Sequence, residues 1–120
     1  MDKWLEIYET LKAAGIETYP PGGHVGLCQS PYCVVQAGAG SVPFSAPING
    51  RCDYRIYLVV PIEDPAGLDR LAGKVRSAME PMVKSGALQL SVPRSAMTPD
   101  GGFSALISYI DYTCCYSERN

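Results

Sequence analysis

Apolar and polar residues alternate along 52–60 with a period of two. Tyr54, Ile56, Leu58 and Val60 fall on one side, and Asp53, Arg55, Tyr57 and Val59 on the other. Successive strand side chains point to opposite faces, so this spacing predicts a strand with one face in a core. The period then changes: Leu68, Leu71, Ala72, Val75, Met79 and Met82 form a stripe at helical spacing, opposite Asp69, Arg70, Lys74, Arg76 and Glu80. Asp64 supplies a capping carboxylate and Pro65 a first-turn residue that needs no amide donor. A helix is therefore predicted over about 65–80, kinked or ended at Pro81, which lacks the N–H an inner turn requires.

Weaker patterns flank this pair. Trp4, Leu5, Tyr8 and Leu11 recur at helical spacing, with Asp2 placed to cap the start and Gly15 the end, so a short amphipathic helix is predicted over 2–14. The run Tyr19-Pro20-Pro21-Gly22-Gly23 is a loop, because its prolines lack donors and its glycines accept left-handed angles. Strands are predicted at 32–37, rich in β-branched and aromatic residues, and at 87–92 and 103–115 on either side of the turn Thr98-Pro99-Asp100-Gly101-Gly102. Both faces of the last strand are largely apolar, which suits a central strand or one covered by a neighbouring subunit. Between the first two strands, 38–51 is dense in Gly, Ser, Pro and Ala and reads as a protruding, mobile loop. The order is α-β-β-α-β-β, a single α+β domain over 1–120. It predicts a mixed or antiparallel four-stranded sheet with two helices packed on one face.

Composition narrows the function classes. Across 120 residues, 47% apolar against 18% charged is the balance of a chain that buries one core, far from that of a disordered one. Lys+Arg 10 against Asp+Glu 12 gives a net charge of −2, and no two basic residues are adjacent, so a phosphate-tracking nucleic-acid face is not expected. No run approaches the roughly 18 apolar residues that span a bilayer, and Met1-Asp2-Lys3-Trp4 lacks a secretory apolar core; a cytoplasmic protein without membrane contact is expected.

Chemistry is sparse. The five cysteines, at 28, 33, 52, 114 and 115, form no CxxC pair. A zinc set of Cys28, Cys33, Cys114 and Cys115 would need two adjacent strand residues to reach one ion from opposite faces. His24 is the single histidine. Pairing it with Cys28 or Ser30 would make a hydrolytic site, but nothing near Cys28 or Cys33 is basic enough to activate a thiol, and an exposed, uncommitted histidine is the expected state. No phosphate-loop pattern surrounds Gly22-Gly23 or Gly38-Ala39-Gly40, and Glu63 and Asp64 are explained by the helix dipole they precede. No catalytic residue, cofactor or metal is therefore expected. Eight tyrosines are more informative, since Tyr54, Tyr57, Tyr109, Tyr112 and Tyr116 lie on or beside strands, and tyrosine favours both sheets and protein interfaces.

One pattern spans nearly the whole chain. Pro31-Tyr32-Cys33-Val34-Val35, a variable loop and Asp53-Tyr54-Arg55-Ile56-Tyr57 precede a helix from Leu68 to Val83. Ser91-Val92-Pro93, Thr98-Pro99-Asp100 and Ser108-Tyr109-Ile110-Asp111-Tyr112 follow. This order resembles the small tail-terminator, or tail-completion, proteins of long-tailed (siphovirus-type) bacteriophages and prophages. The chain departs from that pattern in a 38–50 loop of only apolar and small residues and in Cys114-Cys115, where members often carry polar residues. The resemblance implies a structural virion protein without turnover. Its copies form a ring, usually of six, that caps the tail tube and receives the head-completion proteins; it would reside in the bacterial host cytoplasm during assembly and then in the virion tail. Ring contacts are expected on the 38–51 loop and the exposed sheet face, including Tyr57 and Tyr109, with Arg55 and Arg94 as polar contacts. Two other classes stay open: a stand-alone module holding a small ligand or peptide against its sheet, and a cysteine- or metal-dependent hydrolase around Cys28, Cys33 and His24.

Overall fold

The alternating segment at the centre of the sequence is also at the centre of the sheet. In the computed structural model, which describes residues 3–37 and 49–117, the elements are α1 (Trp4–Ala13), β1 (Thr18–Tyr19), β2 (Tyr32–Ala37), β3 (Asn49–Pro61), α2 (Pro65–Lys84), β4 (Gln89–Val92), β5 (Thr98–Asp100) and β6 (Ala105–Ser117). The class is α+β. The strand order is β1-β2-β3-β6-β4, with β5 also on β6; β1 and β2 run parallel and every other pairing is antiparallel.

The sheet therefore has six strands among the described residues, not four. β1 and β5, at two and three residues, are too short to carry a period-two pattern, and their partners define them. β5 and β4 occupy the same edge of β6 and are joined there by Ser95. Its N–H donates to Tyr109 O (2.8 Å) and its hydroxyl accepts from Tyr109 N (2.9 Å), so one serine replaces the missing ladder between the two short strands.

Element ends differ from the sequence expectation for local reasons. Position 87 does not join β4, because Ala87 N and Leu88 N both donate to Met82 O, closing the left-handed cap at Gly86 (φ +87°) that ends α2. Phe103 and Ser104 belong to the turn before β6, where Phe103 N reaches Asp100 O. β3 starts at Asn49, inside the stretch expected to be loop; residues 38–48 of that loop lie outside those described. Asp2, the expected cap of α1, also lies outside them. The cap position is Lys3, whose amide donates to the Tyr54 hydroxyl at 2.8 Å. α2 runs through Pro81 to Lys84 instead of ending there. Pro81 and Ser77, whose carbonyl loses its donor, are both exposed, while Met79 and Met82 on either side of the proline stay buried. At the other end of α2 the Asp64 carboxylate accepts from Gly67 N (3.2 Å).

Both helices pack on one side of the sheet. Ile7 and Leu11 of α1 and the stripe of α2 close over Tyr54, Ile56, Leu58, Ile110 and Tyr112. Trp4 adds a polar tie, its indole N–H donating to Val35 O (2.8 Å) beyond the short β1. Val35 therefore turns its backbone groups away from β3, as Tyr109 turns its own away from β3 toward Ser95. That alternation makes Arg55–Asp111, Tyr57–Tyr109 and Val59–Ile107 the non-hydrogen-bonded pairs of β3 and β6, in which side chains lie closest.

Candidate assembly face

Among the described residues no helix covers the other side of the sheet. The centre of that side is built by the register just described, which brings Arg55, Tyr57, Tyr109 and Asp111 into one cluster. Arg55 grips Asp111 with two hydrogen bonds, Nε to Oδ1 at 2.9 Å and a terminal nitrogen to Oδ2 at 3.0 Å. The guanidinium lies 3.7 Å from the Tyr109 ring centroid and 6.0 Å from that of Tyr57, and the two rings meet edge to face at 6.1 Å. The paired carboxylate pushes the Arg55 pKa up, first through these hydrogen bonds, so the arginine is a fixed charge. Side-chain exposures of 30% for Arg55 and 16% for Asp111 leave the pair in contact with water, so we assign it about 1 kcal/mol, toward the upper end for surface pairs because it is bidentate and stacked. Its main effect is geometric. It holds a charged, aromatic surface in one conformation beside a concavity of about 400 Å³ that Ser95, Thr98 and Ile107 also line.

Three of the four contact residues named from sequence thus lie together, and Arg94 does not. It pairs with Asp69 of α2, a residue 75% exposed. Asp111 and Ser95 were not singled out in the sequence, although Asp111 falls on the same alternation as Tyr109; which residue faces Arg55 depends on a register that no local pattern encodes. Two wider grooves follow the exposed side of α2, past Arg70, Lys74, Arg76 and Glu80. They are a solvated helix face of mixed charge with no ring or buried polar group to orient a partner.

Cys28 and Cys33, the two cysteines of the expected hydrolytic site, lie apart. Cys33 lies in the helix-side core and Cys28 in a second cluster on the opposite side of the sheet, with Tyr32, Val59 and Ala105. Burial pushes the Cys33 thiol up to about 12 and also raises Cys28, the reverse of what a nucleophile needs. The Cys28 thiol donates to Ser30 O (3.4 Å), and His24 is half-buried against Tyr32 instead of exposed and uncommitted. Among the described residues no group of three or more His, Cys, Asp or Glu is placed to hold a metal. The expected result of iodoacetamide labelling at pH 8 with peptide mapping is that Cys33 reacts only at the rate of unfolding, at least about a thousandfold slower than in urea, given ordinary domain stability. Rapid native-state labelling of Cys33 would show that this core is open.

Among the described residues no helix is long and apolar enough to cross a membrane. Comparison with protein-family models returns no match to this chain, and comparison with curated proteins returns none.

Proposed function

We propose that this chain is a tail-terminator subunit of a long-tailed phage or prophage, one of a ring of copies, six in the usual case, that closes the tail tube and receives the head-completion proteins. The observation that carries the reading is the helix-free sheet face, where Tyr57 and Tyr109 stand beside a fixed arginine. Such a surface combines the aromatic and arginine composition of interface hot spots with a rigid backbone. The resemblance contributes the rest. Asp53–Tyr57 and Ser108–Tyr112, two of the segments that carry it, are cross-strand neighbours, with Tyr57 opposite Tyr109 and Arg55 opposite Asp111. In a ring each copy presents two different surfaces, one to each neighbour, and this face is one of them. The work is structural and involves no turnover; the protein acts in the host cytoplasm until it joins the virion tail.

Alanine at both Tyr57 and Tyr109 tests the assignment. Both side chains are only partly buried, so the double variant is expected to remain folded, with its urea midpoint lowered modestly. Its self-association is expected to weaken at least about a hundredfold, the effect of losing two hot-spot rings. Association equal to that of the unaltered chain, by light scattering at matched concentrations, would remove this face from the contact.

A second reading, a stand-alone module that holds a small ligand against the open sheet, is favoured by one observation, a ring-walled pocket of about 240 Å³ farther along the same face. It predicts a monomer or a dimer and no larger species.

A further inference from the structure

The segment between β1 and β2 folds back over the helix-free face and builds a wall of rings there. His24 stacks on Tyr32 with centroids 4.0 Å apart and planes 11° from parallel. Tyr19 meets both edge-on, at 5.1 Å and 5.5 Å. His24 and Tyr32 line a pocket of about 240 Å³ together with Tyr57, Phe103, Ile107 and two valines, and Asp100 is the one carboxylate among its described residues. Phe103 is half exposed, so the pocket opens to water.

We propose that this pocket binds a small alkylated ammonium ion. Ring faces attract a cation through their quadrupoles, and the attraction grows as the site loses water. The aliphatic part of the lining disfavours a bare ammonium, which is strongly hydrated, and suits one whose charge is wrapped in methyl groups. Asp100 supplies the counter-charge: Oδ1 accepts from Gly102 N at 3.0 Å, which fixes the carboxylate at the pocket. The surroundings have the same sign. Burial raises the Tyr32 hydroxyl, with a smaller contribution from Asp100, and burial raises the Cys28 thiol, with smaller contributions from Glu63 and Glu17. Arg55, on the same face, is held by Asp111.

The inference does not depend on the ring reading, because the pocket lies within one copy. Isothermal titration of the full chain with choline, and with its uncharged isostere 3,3-dimethylbutan-1-ol, tests it. Choline is expected to bind saturably in the millimolar range and the isostere at least about tenfold more weakly, the margin of one partly desolvated cation–π and carboxylate contact. Asp100→Asn, which keeps the acceptor for Gly102, and Phe103→Leu, at an exposed position, are each expected to weaken choline by about three- to tenfold while the circular dichroism stays unchanged. Equal affinity for choline and the isostere, no saturation with choline, or unaltered binding in both folded variants would each overturn the proposal. Failure to bind choline leaves the ring reading standing, because the solution mass tests that separately.

Discussion

Replacing Tyr54 with alanine is expected to remove about 3–5 kcal/mol of folding stability, the usual result of emptying a large buried ring site. Tyr54 is 1% exposed, projects from the central strand β3 into the core beneath both helices, and accepts the Lys3 amide at the start of α1 through its hydroxyl. One side chain thus fills the core and fastens the start of a ten-residue helix. Against the roughly 5–15 kcal/mol that holds a domain folded, the loss leaves a marginal protein. Tyr54→Phe separates the two contributions, since it keeps the ring and removes the hydroxyl, at an expected cost of about 1 kcal/mol. Urea unfolding followed by circular dichroism measures both; an alanine variant within about 1 kcal/mol of the parent would mean that the helices do not rest on this residue.

The second large effect is at Asp111. Removing its carboxylate leaves the Arg55 guanidinium over Tyr109 with no counter-charge, and Asp111→Ala is expected to cost about 1–2 kcal/mol, the value for charge-assisted hydrogen bonds reduced for solvent access. A cycle with Arg55→Met isolates the pair. Its coupling energy is expected near 1 kcal/mol and smaller in about 1 M salt, where the Debye length is only about 3 Å. The paired change Arg55→Met with Asp111→Leu is expected to recover most of the stability, as replacing both ends of an ion pair by apolar groups often does. Zero coupling at low salt would show that the cluster is a crowd of neighbours and not a fixed unit.

These sites also mark what the sequence could convey. The alternation of Tyr54, Ile56, Leu58 and Val60 announces β3 because one face meets the core and the other does not, and the stripe from Leu68 to Met82 announces α2 for the same reason. Both signals are local. β1 and β5 are not legible, because a two- or three-residue strand is stabilised by its partner and leaves no periodicity of its own. Pro81 does not end α2, because the rule against inner-helix proline assumes a carbonyl that cannot reach water, and that of the exposed Ser77 can. At the face, Tyr57, Tyr109 and Arg55 were legible as outward residues on strands. The role of Asp111 was not, since it comes from a pairing across 56 positions of chain. The sequence presents His24 as exposed and uncommitted, because nothing in a Gly-rich run indicates that the run folds back onto Tyr32.

The central claim is that this face joins copies of the chain. It is tested most directly by the solution mass of the unaltered protein over a concentration series, by light scattering after size exclusion, with electron microscopy of the largest species. The account predicts a mass that climbs with concentration toward one closed species, visible as a ring. A strict monomer at every concentration, with Tyr57→Ala and Tyr109→Ala changing nothing, would contradict it.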